Sequence, residues 1–524
     1  MTLINNGRLN RRGFLATTAA TAIAASLPMG GAMAAPNRGG HLRAAIGHGQ
    51  TTDTLNPGTY SNSFTTSLSF AIHGRLTEVA QDGSLIPEVA ESWEASDDAS
   101  EWRFKIRKGV TFHSGKPLTV EDVVNSINFH RGEGSTSAAG PIVAPISGIA
   151  CVTGCTAEGD DTVVFSLDGG NADFPFILSD YHLVICKAAG DSIDWQSGDG
   201  VGSYILKDFQ PGVSYSLERN PNHWRSDVAW FDSAEVIAIV DQNARTTALV
   251  SGDVDMADRL DLKTVGLLAR RPDIQINSVS GTQHYTFAMD TRAEPYSNVH
   301  VRHALKYGIN RQELVDKILF GYGAVGNDHP IGPGQRFFNK DLEQTTYDPD
   351  KAKYHLKLAG LESVDVSLSA ADAAFVGAVD AAVLYQNSAA AGGINLKPVR
   401  EPNDGYWSDV WMKKPFAAVY WSGRSVEDQM FSTAYQCGAS WNDSFWCNDR
   451  FDELLVKARS ELDEAKRREM YYEMQALCSS DGGVIVPMFA NYVFGNSTKV
   501  AHTEQMGSNW DVDGMRFIER WWFA

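Results

Sequence analysis

The sequence predicts an α/β protein built from several lobes, and three observations carry this. Strand-like and helix-like patterns alternate along the chain, with no tandem repeat or low-complexity stretch after the first 35 residues. The length of 524 residues corresponds to about three to four domain-sized units. The apolar fraction is 43% and the charged fraction 21%, ordinary for a chain that fills several cores and inconsistent with wholesale disorder.

Residues 1–34 read as an address. Asn10-Arg11-Arg12-Gly13-Phe14-Leu15 opens it, an alanine-rich apolar run over 16–27 follows, and Pro28 with Gly30 and Gly31 breaks that run. Ala32-Met33-Ala34 places small residues where a signal peptidase reads. The paired arginines before Phe-Leu resemble a twin-arginine signal, although Asn10 stands where Ser or Thr is more usual. The apolar run is short for a membrane span. The expectation is therefore a periplasmic protein with its signal cleaved near Ala34; an N-terminal membrane anchor is the other reading.

The remaining elements follow in order. Residues 102–106 (Trp-Arg-Phe-Lys-Ile) alternate apolar and charged side chains, as a half-buried strand does, and 162–167 suits a partner strand. Thr119 with Asp122 forms a capping-box pattern for a helix that buries Val123, Val124 and Ile127. A hairpin spans 203–218 around Pro211-Gly212. Residues 234–240 read as a strand buried on both faces, and a helix over 244–251 stops at Gly252. Further helices open at Ser297, after the cap Asn310, at Asp350, at Asp449 and at Asp463, and a buried strand covers 484–488.

Charge and motifs exclude several functions. Acidic residues outnumber basic ones, 64 to 45, and the formal charge is −19. Loss of Arg8, Arg11 and Arg12 with the leader takes it to −22. Such a surface repels nucleic acid, so no nucleic-acid partner is expected. Gly321, Gly323 and Gly326 match a dinucleotide fingerprint in spacing, but they follow a helix pattern where a strand is required. P-loop, zinc-helix and nucleophile-elbow motifs are missing, and His113, His223, His284 and His303 are scattered. No cofactor, no metal site and no catalytic residues are expected. Of six cysteines, Cys151 with Cys155 and Cys437 with Cys447 can close small loops as disulfides, whereas Cys186 and Cys478 read as buried free thiols. A metal site at Cys151 and Cys155 is the alternative, but no further ligands cluster with it.

The segment Lys-Gly-Val-Thr-Phe-His-Ser-Gly-Lys-Pro-Leu-Thr-Val-Glu-Asp-Val-Val-Asn-Ser-Ile at 108–127 resembles a signature of the dipeptide, oligopeptide and nickel (family 5) solute-binding proteins of ABC importers. Six further stretches occur in that family's order. They are Gly202-Ser-Tyr204, the run 218–224, the run 248–255, Val301-Arg-His-Ala-Leu305 with Ile309-Asn-Arg311, the run 347–353, and Asp481-Gly-Gly-Val-Ile-Val-Pro487. The resemblance implies a two-lobed periplasmic-binding-protein clamp of the large, peptide-binder type with an inserted subdomain. Lobe I would comprise 36–79, 203–290 and 488–524, with the insert at 80–202. Lobe II would be 291–487, with crossings near Ala293 and Pro487 acting as hinge. Implied partners are a small-molecule or peptide solute and the importer's membrane permease subunits, and the protein would act as a monomer without catalysis. A secreted hydrolase, a chaperone or signalling receptor on the same clamp, and a binder of an opine, oligosaccharide or metal chelate are the alternatives.

In peptide-binding relatives an aspartate in a strand-to-loop segment holds the peptide's amino group. The matching segment is Val419-Tyr-Trp-Ser-Gly-Arg-Ser-Val-Glu-Asp428, and Arg424 stands at the aspartate's position. A guanidinium grips a carboxylate or phosphate rather than an ammonium. Arg424 is thus a candidate anchor for an anionic group on the solute, unless it pairs with Glu427 or Asp428; either acid could instead take an amino group. Gly423 beside it is a further candidate. Trp421, Trp407 and Tyr406 are candidate cleft walls, as are Tyr60 and Phe64 in the loop after Leu55 and Tyr285 near the hinge. Trp441 and Asn442, inside the Cys437–Cys447 loop, could close over the solute.

Overall fold

The computed structural model describes residues 36–131, 152–424 and 426–524. The leader read over 1–34, its cleavage site and Cys151 lie outside the described residues. Among the described residues no helix is long and apolar enough to cross a membrane.

Two sheets organise the chain. The first holds seven strands in the order Tyr204–Gln210, Ser214–Arg219, Ser233–Ala238, His41–Ile46, Met256–Ala257, Tyr492–Ser497 and Ile274–Val279. Leu42, Ala44 and Ile46 from its centre pack with Phe64, Leu68, Tyr215 and Trp521 into one core. The second sheet holds six strands in the order Gly323–Val325, Val484–Ala490, His284–Met289, Phe416–Trp421, Val364–Ala370 and Ile394–Arg400. It is covered on both faces, by separate cores around Phe287 and Tyr385 and around Phe431 and Tyr471. A four-stranded antiparallel sheet with its own core forms the inserted subdomain.

Local sequence accounts for many of these elements. In the strand Glu101–Ile106 of the insert, Trp102, Phe104 and Ile106 are buried while Lys105 faces water. The helix Val120–Phe129 carries the reciprocal Thr119–Asp122 capping box. Asp241, Asn310, Asp348, Asn448 and Asp463 each cap a helix with a side-chain oxygen, a feature worth about 1 kcal/mol per helix. The strand Ser233–Ala238 is buried on one face only; it lies between His41–Ile46 and Ser214–Arg219, and nothing in its own apolar run distinguishes the two cases.

The lobe boundary differs from the sequence expectation. Residues up to 290 were assigned to the first lobe, yet His284–Met289 belongs to the second sheet. Its residues are paired on both sides, His284 opposite Trp421 and opposite Phe489. The crossings between sheets therefore fall at 280–283 and at Asn491, not near Ala293 and Pro487. The crossings are bonded to each other: Ala490 N–H donates to the Gln283 carbonyl at 2.9 Å and Asn491 Nδ2 to Ser278 Oγ at 2.9 Å. Gly281 permits this approach, because a Cβ there would come 2.7 Å from the Ala490 carbonyl oxygen.

A second correction concerns cysteine. Cys155 carries a free thiol, as do Cys186 and Cys478. It lies in the strand Val152–Glu158 with its side chain in the insert's core. A strand advances about 3.3 Å per residue, so Val152 to Cys155 alone covers roughly 10 Å, beyond the usual reach of a disulfide. Cys437 and Cys447 do form a disulfide.

Buried charges hold these bodies together. Arg516 bonds Glu88 of the insert at 3.1 Å and Glu519 at 2.9 Å, and Arg520 bonds Glu78 at 2.9 Å. Across the lobes, Asp173 of the insert accepts from Arg336 at 2.7 Å and from Arg467 at 2.5 Å, with its side chain 1% exposed. The neighbouring Ala172 N–H donates to the Arg459 carbonyl at 2.6 Å. Burial alone would raise the pKa of Asp173; the guanidinium groups of Arg467 and Arg336 outweigh it and hold the carboxyl below its ordinary range. Asp173→Ala leaves the buried Arg467 and the half-buried Arg336 without their carboxylate and should cost about 3–5 kcal/mol in denaturant unfolding at pH 7. With a folded pKa below the unfolded one, this stabilisation is present above the ordinary carboxylate range and is lost as pH falls through the folded value. The gap between wild type and Asp173→Asn should therefore close in strong acid.

Candidate functional site

The two sheets face each other across a cavity of about 700 Å³. The first lobe contributes His48, Asn62, Arg259, Tyr492, Trp510 and Asp511, and the insert adds Asp180, Tyr181 and His182. The second lobe contributes Trp407, Trp411, Tyr420, Trp421, Gly423, Arg424, Gln429 and Trp441.

The second lobe's wall is aromatic. Trp411 is the hub, with ring centroids 5.9 Å from Trp407, 6.4 Å from Trp421 and 6.2 Å from Trp441, all edge-to-face. Tyr420 packs on Trp407 at 5.5 Å. Trp407, Tyr420 and Trp441 remain 40%, 39% and 39% exposed. Large flat groups left bare side by side in a cleft mark a surface that a ligand covers. Opposite them, Tyr181 and Trp510 meet edge-to-face at 5.4 Å.

This wall is pinned by the Cys437–Cys447 loop. Trp411 Nε1 donates to Asp443 at 3.2 Å, and the Trp421 indole faces the same carboxylate. Asn442 fixes the loop by donating to the carbonyls of Trp446 and Gln436 at 2.8 and 3.1 Å. Burial pushes the Asp443 carboxyl up to about 7, with the two indoles acting against that rise.

Among the described residues, each acid near the cleft has a partner, whereas Arg424 has no carboxylate. Asp511 forms an ion pair with Arg259 at 3.4 Å and Asp180 is hydrogen-bonded to His182 at 2.7 Å. Glu427 accepts the Phe337 backbone N–H at 2.8 Å, and Asp428 bonds Arg459 at 3.0 Å. Neither acid pairs with Arg424. Arg424 donates through Nη1 to the carbonyls of Ser422 and Gly423 at 3.2 and 3.1 Å, leaving Nε and Nη2 without a partner among the described residues. Burial lowers its pKa from the ordinary guanidinium value, opposed by the nearby Tyr181 hydroxyl. Gly423 lets this loop pass Thr282, because a Cβ there would collide with Thr282 Oγ1.

The sequence-derived candidates divide into two groups. Arg424, Gly423, Trp421, Trp407 and Trp441 come together in the cleft. Five others do not line it. Tyr60 is fully buried and its hydroxyl donates to the Leu55 carbonyl at 3.0 Å. Phe64 turns inward as the second residue of the helix Ser63–Ile72 and packs on Tyr215 at 4.9 Å. Tyr406 is buried beneath the wall, donating to the Ala418 carbonyl at 2.8 Å. Tyr285 stacks on Phe375 at 4.2 Å, and Asn442 is spent on the loop backbone. Sequence reasoning missed Tyr181, Arg259, Tyr492, Trp510 and Asp511, which no motif marks. Among the described residues no group of three or more His, Cys, Asp or Glu is arranged to hold a metal ion.

Comparison with known proteins places this geometry. The family described as bacterial extracellular solute-binding proteins, family 5 Middle, matches residues 84–443. Di/tripeptide-binding protein 1 of Pseudomonas aeruginosa is 25% identical over 460 residues, covering 82% of this chain and 85% of the relative. The structure of HbpA2 from Haemophilus parasuis superposes with a TM-score of 0.82 at 19% identity, over 93% of this chain and 100% of that one. DppA from Helicobacter pylori, in complex with the peptide STSA, gives 0.71 at 21% identity, over 93% and 98%.

The raised pKa of Asp443 has a testable sign. The folded state binds this proton more tightly than the unfolded chain does, so ionising the group costs stability as pH rises from the ordinary carboxylate range to about 7. Wild type should lose stability relative to Asp443→Asn as pH goes from 5 to 8. Its tryptophan emission should titrate with a midpoint near 7 that the variant lacks.

Proposed function

Because this chain belongs to the family 5 bacterial extracellular solute-binding proteins, we propose that it is a periplasmic receptor that traps a polar solute between its lobes and hands it unchanged to an ABC importer. Relatives named for di- and tripeptides and a fold that holds a peptide in Helicobacter pylori DppA support a peptide or peptide-like solute. The observation that carries the specificity is Arg424. It is the cleft's cation without a carboxylate partner among the described residues, while each nearby acid is already bonded. Such a site attracts an anion and gives a cationic amino group no free carboxylate to bind.

Capture follows from the architecture. The crossings at 280–283 and Asn491 let the sheets close as bodies. Closure removes the solute from water, which strengthens a charge-assisted hydrogen bond to Arg424 and lets the indole wall cover the solute's apolar face. The receptor acts as a monomer, since the captured solute needs only the two lobes of one chain.

A thermal-shift panel of acidic and neutral peptides, opines and sugar acids tests the reading. A bound anion raises the melting temperature by mass action, and mass spectrometry recovers it unaltered. Arg424→Ala should weaken binding of that anion by about 10- to 100-fold in calorimetry, the loss of a charge-assisted hydrogen bond. Binding unchanged by this variant, or turnover of the solute, contradicts the proposal.

A further inference from the structure

The cleft does not end at Arg424. A second cavity of about 760 Å³ opens beyond it, between the 168–171 segment of the insert and second-lobe residues 428–441 and 456–460. Arg424, Gln429 and Trp441 line both cavities and form the neck between them.

The chambers differ in chemistry. The first carries the indole wall on one side and the charged groups of Arg259, Asp511 and Asp180 on the other. In the second, Trp441 is the one aromatic residue among the described lining residues, and the walls mix the amides and hydroxyls of Asn171, Ser432, Thr433 and Gln436 with the apolar side chains of Ile177 and Val456. Its ion pair, Asp428 with Arg459, is closed at 3.0 Å. Asp168 stands exposed at the mouth, where water screens its charge. Such a chamber suits a neutral group with both apolar and hydrogen-bonding parts.

The neck supplies an independent observation. Gln429 is 8% exposed, yet its side-chain amide has no hydrogen-bond partner among the described residues. This amide faces the cavities and offers both an N–H donor and a C=O acceptor to a group in the neck. Next to it, Arg424 presents Nε and Nη2 without a partner among the described residues. Together they offer donors for an anionic oxygen and a donor–acceptor pair for an amide of the same molecule.

We propose that one elongated solute threads this neck and fills both chambers. Its flat apolar part lies on the indole wall, its anionic group on Arg424, a neighbouring amide on Gln429, and a neutral polar tail in the second chamber. The class is an acidic, peptide-like chain recognised along its length rather than at a charged amino end. This rests on the cleft reading above and adds the second chamber to it.

Blocked peptides test it by calorimetry on the full mature chain. The short probe is acetyl-Trp-Glu-amide. The long probes are acetyl-Trp-Glu-Ser-Gln-amide and its reverse, acetyl-Gln-Ser-Glu-Trp-amide. Wild type should bind one long probe about tenfold or more tighter than the short one, from added hydrogen bonds in the second chamber. Thr433→Trp, which fills that chamber, should erase this gain and leave the short probe unchanged. Ser440→Trp, from the exposed loop on the same chamber, provides a second filler should the helix variant not fold. Equal binding of short and long probes, or a gain that survives a folded filler, overturns the second chamber while the cleft reading stands. If no blocked peptide binds but another anion in the thermal panel does, the peptide-like class is overturned. If no solute stabilises the protein, the receptor function itself falls.

Discussion

Two short crossings between the sheets are the constraint on which the rest of this structure depends. The cleft draws its lining from residues on both sides of the crossings at 280–283 and Asn491, with the insert adding Asp180, Tyr181 and His182. The crossings are hydrogen-bonded side by side, and Gly281 is the residue that allows them to touch. Away from the hinge, the lobes meet again at Asp173, where one carboxylate holds two guanidinium groups. The lobes are thus joined by the two crossings and by this buried ionic contact. Burial of such charges is worthwhile only with their partners in place.

Within the cleft, charge bookkeeping and packing act together. Arg259 pairs with Asp511, and Asp180 is hydrogen-bonded to His182, so these groups shape the cavity more than they attract anything into it. Arg424 is the exception. The indole wall opposite is not a loose collection of rings, because Asp443 and the disulfide-closed loop set the orientation of Trp411 and support Trp441. A rigid apolar wall and one directed cation allow selection by shape and by charge at once.

Much of this was legible in the sequence, for reasons that are local. The Thr119–Asp122 box, the helix caps and the alternating strand at 102–106 depend on neighbours a few residues away. The Cys437–Cys447 pair was legible because the intervening loop can turn, whereas Cys155 was misread because the strand that carries it cannot. Tyr60 and Phe64 stand in the right loop but point inward; position along a chain does not give the direction of a side chain. Tyr181, Trp510 and Arg259 reach the cleft from three distant stretches, and no spacing rule joins them. The boundary at His284 was missed because an apolar strand carries no mark of which sheet it joins. Arg424 was found through a departure from a family pattern, and its isolation from Glu427 and Asp428 became visible only in three dimensions.

The most direct test is a crystal structure of the protein with the solute it carries through purification. This account predicts a solute enclosed between the two sheets, lying on the Trp407–Trp411–Trp441 wall, with an anionic oxygen within hydrogen-bond distance of Arg424. A solute amino group at that position, or a solute bound outside the cleft, would contradict it.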